Sequence, residues 1–255
     1  MAISLASLRR SGEEKKPARL LFHAVQGVGK TTFASQAPHP VFVPCEDGLA
    51  SVDVDAFPLA RSYSDVMEAL ASLYTEDHAF ESVVLDSLDW LEPLIHAEVC
   101  QRNGWNNIEE PGYGKGFAAA LNLWREYFDG VDALRNDKNM WVIQIAHTDV
   151  KKFSPPDGEP YDRYRIKLNE KAAAICLEHS DAVMFGNYVI STTAADSADK
   201  SNKKVRAVGG GQRVVYTAER PAFIAKNRYS LPEKIMVPNN DWSPVWEALH
   251  AAVGI

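Results

Sequence analysis

The chain has 255 residues, 46% of them hydrophobic, enough to bury a sizeable core and to form one α/β domain with appendages. It has no apolar run near the ~18 residues of a membrane span, no hydrophobic secretory segment in its first 17 residues, and three cysteines (Cys45, Cys100, Cys176) without C-x-x-C spacing, which points to reduced thiols in a cytoplasm. The net charge of −7 is uneven: residues 148–234 carry 15 basic against 11 acidic side chains, net +4, and the remainder 12 against 23, net −11. That asymmetry fits one polyanion-facing surface on an acidic protein, and equally an ordinary solvated surface.

Residues 1–17 form an N-terminal arm, either mobile or docked on a neighbouring subunit, because Ser, Gly and charges dominate after Ile3, Leu5 and Leu8. The core spans residues 18–255. Residues 20–32 (LLFHAVQGVGKTT) place an apolar run, a loop with Gly27 and Gly29, and an apolar helix opened by Lys30, Thr31 and Thr32 in the order of a nucleoside-triphosphate P-loop. Small residues let the backbone amides of Gln26, Gly27, Val28 and Gly29 turn around a phosphate, and the new helix directs its positive end to the same place. Lys30 would reach the β- and γ-phosphates, and the Thr31 hydroxyl would hold Mg²⁺. Ala24 stands where the full motif has its first glycine, a position that only has to be small.

Pro38 and Pro40 end this helix, and residues 41–43 make a second buried strand that delivers Glu46 at its tip. Residues 63–75 have the apolar spacing of a helix covering the sheet. Residues 82–87 (SVVLDS) form a buried strand closing on Asp86, the Walker B form, with Asp86 opposite Thr31 on the Mg²⁺ water shell. Ser87 or Asp89 caps the following helix. Residues 102–116 are rich in Gly, Asn and Pro and predict a loop, whose Trp105 and Tyr113 either stack on bases or anchor it to the core.

Phe117, Leu121, Trp124, Phe128 and Val131 recur at helical steps and predict a long amphipathic helix. Residues 141–146 predict a buried strand inserted between the P-loop and Walker B strands, with His147 at its tip beside the γ-phosphate, as a phosphate sensor or as a structural histidine. Residues 149–167 predict a long functional loop. Its Lys151, Lys152, Phe153, Arg163, Tyr164, Arg165 and Lys167 interleave cations and rings as single-stranded DNA requires. A helix near residues 170–179, a strand over 181–192 and a basic β-hairpin built from residues 203–206 and 213–217 around Gly209, Gly210 and Gly211 follow. A terminal helix over 243–253 closes the domain.

GVGKTT, the strand ending CEDG, VVLDS, the strand ending IAH and the late run GGGQRVVYTAERPAFIAKNRYSLP together resemble the RecA-like core ATPases, and more closely the short phage-encoded recombinases of annealing type. The resemblance covers residues 18–238. It implies a central, mostly parallel sheet flanked by helices. It makes Glu46 the residue that polarises the attacking water, and puts His147 where RecA has a glutamine linking γ-phosphate to DNA. The loops at 102–116 and 149–167 become DNA-binding loops, and Lys226 and Arg228 become a cationic pair reaching a neighbour's nucleotide. The function implied is ATP-dependent single-stranded-DNA binding in recombination, by a homo-oligomer working with Mg²⁺-ATP and a single-strand-binding protein. RecA's large C-terminal domain is absent and His147 replaces the glutamine, so annealing fits better than strand exchange. A replication helicase core or loader is the alternative.

Overall fold

A strand buried on both faces is apolar at nearly every position, and such runs in this sequence, interrupted only by His23 and Gln144 in β1 (Arg19–Ala24) and β5 (Trp141–Phe153), are the strands at the centre of one sheet. The computed structural model describes residues 15–189, 191–194 and 205–254. Its first strands are β1 (Arg19–Ala24), β2 (Pro40–Pro44), the two-residue β3 (Asp55–Ala56), β4 (Ser82–Asp86), β5 (Trp141–Phe153), β6 (Tyr161–Ile166) and β7 (Ala182–Tyr188). After them come β8 (Ser191–Ala194), β9 (Val205–Val208), β10 (Arg213–Tyr216), β11 (Lys226–Asn227) and β12 (Lys234–Val237). The main sheet runs β12-β10-β7-β1-β5-β4-β2-β3. From β7 to β3 every pairing is parallel, and β10 and β12 add an antiparallel edge. The strand that follows Walker B, β5, does lie between β1 and β4, with Ala24 beside His147 and Asp86 beside Ile145.

Alternation along the strands divides the core into two layers. Leu21 and Val142 face one side with α2 (Tyr63–Thr75), α3 (Leu88–Asn103), α4 (Lys115–Asp137) and α5 (Glu170–His179). Leu20, Phe22, Ile143 and Ile145 face the other with α1 (Lys30–Ser35) and α6 (Ser243–Val253). The stripe expected on α4 is core at Trp124, Phe128 and Val131. On the second face Trp246 stacks on Phe33 at 4.9 Å and its indole N–H donates to the Phe33 carbonyl, so the C-terminal helix clamps the short helix that follows the phosphate loop. Ser62 opens α2 with a reciprocal capping box to Asp65, the arrangement that fixes a helix start most firmly.

Three expectations are corrected. The long loop expected over 149–167 is an antiparallel hairpin: β5 continues to Phe153 and pairs with β6, Lys151 opposite Arg163 and Phe153 opposite Tyr161. The β-branched and aromatic residues on both arms favour strands, and Pro155, Pro156 and Gly158 confine the turn to the tip. The late basic hairpin is also paired differently. β9 pairs with β8, while β10 returns to the main sheet between β7 and β12, and Lys203 lies outside the described residues. The loop at 102–116 is shorter than expected, because α3 extends to Asn103 and α4 starts at Lys115. Trp105 packs against the core, which settles it as an anchor, whereas Tyr113 is fully exposed. Residues 1–14 of the N-terminal arm lie outside the described residues.

Candidate nucleotide site

Parallel sheets present their functional groups at the carboxyl ends of the strands; three strand ends converge here with the middle of β5, where His147, expected at a strand tip, marks the end of the parallel pairing and the start of the hairpin. Beyond β1, Gly27 (φ +77°) and Gly29 (φ +102°) adopt left-handed backbone that a side chain would strain. A Cβ on Gly29 would also meet Asn240 Oδ1 at 3.0 Å and the Trp242 ring at 3.2 Å, so the loop has room only for hydrogen there. Lys30 follows, nearly buried, with Thr31 next to it. Thr31 donates its hydroxyl proton to Asp86 Oδ2 at the end of β4, 3.0 Å away. The Asp86–Ser87 peptide that follows is cis.

Gly27, Gly29, Lys30, Thr31, Thr32, Glu46, Asp86 and His147 line one cleft of about 290 Å³, closed on a further side by Gly48, Ser51 and Val52. Larger grooves of about 420 Å³ lie under α2 and beside the β5–β6 hairpin, and one of about 360 Å³ adjoins Glu46, but none of the three joins a lysine and a hydroxyl to strand-tip carboxylates. The expected P-loop, Walker B, Glu46 and His147 residues thus meet in one place, although they are drawn from four strands.

Burial sets the electrostatics of the cleft. Burial pushes the Asp86 carboxyl up to about 6, aided by nearby Glu46 and opposed by the Thr31 hydrogen bond and Lys30. Burial likewise lowers Lys30, against the attraction of Asp89, Asp86 and Glu46. A hydroxyl and a carboxylate oxygen 3.0 Å apart form a hard, all-oxygen donor set, which suits Mg²⁺ with water and phosphate completing its shell. Among the described residues no group of three or more His, Cys, Asp or Glu could hold a metal without such help. Cys45, behind Asp86, is pushed up to about 12 by burial and by that carboxylate, so it stays a thiol.

Ser87 stands at the N-cap of α3, and Asp89, in its first turn, has a larger part than capping. Its carboxylate accepts both the His147 backbone N–H and the ring Nδ1–H at 2.9 Å, and its side chain is almost fully buried. Burial works against its charge, but the bonds from His147 outweigh it and hold the carboxyl below the usual range. The ring is thereby locked with Nε2 as its remaining nitrogen, and Glu46 Oε2 stands 3.9 Å from Nδ1. The spacing Asp86-Ser87-Leu88-Asp89 was the available signal: a second acid one helical turn beyond Walker B, at the same sheet edge.

The remaining expected site residues separate into two groups. Lys152 and Lys167 are exposed; Lys151 is half-buried, and Arg165 meets the exposed Glu170 at 3.3 Å. Arg163 is buried, bound to Glu219 and to the Phe223 carbonyl, with its guanidinium 5.2 Å over the Phe153 ring. Tyr164 packs on Phe185, ring centroids 5.1 Å apart. Arg163 and Tyr164 thus hold the hairpin to the body, while Phe153 packs within it against Arg163 and Tyr161. Lys226 donates to the carbonyls of Leu177, Glu178 and Ser180, closing the end of α5, while half-exposed Arg228 pairs with Asp181 at 3.2 Å.

A glycine-bent phosphate loop, a strand-tip carboxylate opposite its threonine and an inserted strand between the two define a P-loop NTPase with a RecA-like core. The chain belongs to the AAA domain family, whose model matches residues 16–229, and nucleotide binding as an ATPase goes with that membership. In overall shape it is also similar to the crystal structure of the RadB recombinase, at 14% identity over 87% of this chain and 86% of that one, with a TM-score of 0.45. The fold assignment rests on strand order and the phosphate loop, not on that likeness. A comparison with curated proteins finds no match. No described helix is long and apolar enough to cross a membrane.

Proposed function

We propose that this protein is an Mg²⁺-ATP-dependent recombination protein that binds single-stranded DNA as a homo-oligomer in the cytoplasm and acts by annealing rather than strand exchange. Lys30 and the loop amides bind the β- and γ-phosphates, and Thr31 with Asp86 would hold Mg²⁺, which supplies neutralising charge for the triphosphate. Glu46 accepts a proton from the attacking water, and His147, fixed by Asp89, contacts the γ-phosphate through Nε2.

The observation that carries the DNA reading is the continuity of β5. One strand runs from His147 in the cleft to Lys151 and Lys152 on the hairpin, with no loop between them. Four residues of strand span about 13 Å, so a shift of His147 on gaining or losing γ-phosphate moves the hairpin cations as a rigid extension. Lys151, Lys152, Arg165 and Lys167 are the cations placed for phosphates of the strand. Arg228 is the member of its pair that would reach a neighbour's nucleotide, exchanging its ion pair with Asp181, because Lys226 is held by three carbonyls of its own chain.

Filter binding of a labelled oligonucleotide tests this reading. Retention should require Mg²⁺ and an ATP analogue, fall as salt rises, and drop at least tenfold in a Lys152→Glu, Lys167→Glu double variant. Absence of retention at low salt with analogue present contradicts it. Unwinding of a duplex would instead favour the helicase alternative.

A further inference from the structure

The Gly27 carbonyl in the phosphate loop accepts a 2.7 Å hydrogen bond from the Tyr188 hydroxyl, donated from 161 positions along the chain. Tyr188 is the last residue of β7, and its backbone is fixed opposite Arg213 of β10, with the Val189 N–H donating to the Gln212 carbonyl at 2.7 Å just beyond. The Arg213 guanidinium lies 5.9 Å from the Tyr188 ring centroid, holding the ring from its open face.

A trans peptide points its carbonyl and its N–H to opposite sides. Drawing the Gly27 carbonyl outward onto Tyr188 therefore turns the Val28 N–H inward, toward the hollow of the loop. That N–H has only a 3.4 Å contact with the Val25 carbonyl, too long for a good hydrogen bond, so it is available to an anion. Neither Tyr188 nor Arg213 is part of the phosphate-loop motif, and both come from the opposite flank of β1 to His147.

We propose that Tyr188 is a positioning residue for the phosphate loop: its hydroxyl sets the Gly27–Val28 peptide with the amide facing the phosphates of a nucleoside triphosphate, and Arg213 keeps the ring in place. This role presupposes that the cleft binds nucleotide. Tyr188→Phe keeps the ring and its packing and removes only the donor. Equilibrium dialysis with Mg²⁺ and labelled ATP should then show about fivefold to tenfold weaker binding, the usual worth of one hydrogen bond, with the melting temperature of the nucleotide-free protein unchanged. Arg213→Gln should weaken binding in the same direction with the same unchanged melting temperature. Binding by Tyr188→Phe as tight as wild type overturns the proposal, as does an affinity loss matched by a fall in nucleotide-free melting temperature, the mark of a general structural role. Failure of the wild type itself to bind ATP would reject the nucleotide reading, separately from anything Tyr188 does.

Discussion

Replacing Asp86 by asparagine should make the nucleotide-free protein more stable at neutral pH, while removing the group that holds Mg²⁺. Burial raises the Asp86 carboxyl from 3.8 to about 6, so the folded state holds a proton that the unfolded state releases. The stability this contributes is full below the unfolded value and is lost as pH rises through 6. Integrated over that interval, the ionised carboxylate costs up to about 3 kcal/mol at pH 7. Asparagine removes the charge and keeps an oxygen to accept the Thr31 proton.

His23 adds a second, opposite limb. It is wholly buried in β1, its Nε2–H donates to the Ile224 carbonyl at 2.8 Å, and burial lowers it from 6.5 to about 4. Stability from a neutral buried histidine is present above 6.5 and is lost as pH falls toward 4. From pH 7 to pH 5 the wild type gains roughly 1 kcal/mol from Asp86 and loses roughly 2 kcal/mol from His23, so the gain offsets only part of the loss. Asp86→Asn removes the gain and exposes the loss. Chemical denaturation of both proteins at pH 7 and pH 5, without nucleotide, reads this directly. The variant should be more stable by up to about 3 kcal/mol at pH 7, and that lead should narrow by about 1 kcal/mol at pH 5. A variant no more stable than wild type at pH 7, or one whose lead is undiminished at pH 5, refutes the electrostatic account of the cleft.

Glu46→Gln should leave ATP affinity within about twofold and lower hydrolysis by about 100-fold or more, the usual size of a general-base contribution; phosphate release under saturating ATP checks it, and an unchanged rate removes Glu46 from the chemistry. Gly29→Ala places a Cβ at φ +102°, 3.0 Å from Asn240 Oδ1. It should cost about 1 to 3 kcal/mol of stability and abolish nucleotide binding, to be read by thermal melting and dialysis; a stable variant that binds ATP would show that the loop tolerates another backbone path.

The parts of the site legible in the sequence are those set by neighbours along the chain. Glycine pattern, Lys30, Thr31 and the apolar run ending at Asp86 announce themselves within a few residues, and parallel strand order follows once they are taken as one class. The long helix at 115–137 was equally plain, because its stripe has helical period over several turns. What was not legible depends on partners far away in sequence. Arg163 looks like a free cation until Glu219, 56 residues on, is seen to hold it. The nearest basic strand looks like the second arm of the late hairpin, whereas β9 pairs backwards with β8 and that nearest candidate, β10, completes the main sheet. Asp89 and Tyr188 act on atoms brought to them only by the sheet edge, His147 in one case and Gly27 in the other.

The central claim is that the Gly27–Thr32 loop holds a triphosphate with Lys30 as its cation. Equilibrium dialysis of the full chain against labelled ATP with Mg²⁺ tests it most directly. The wild type should saturate at one nucleotide per chain, and Lys30→Ala should retain none above background. Equal retention by the two proteins, at any level, would contradict the account.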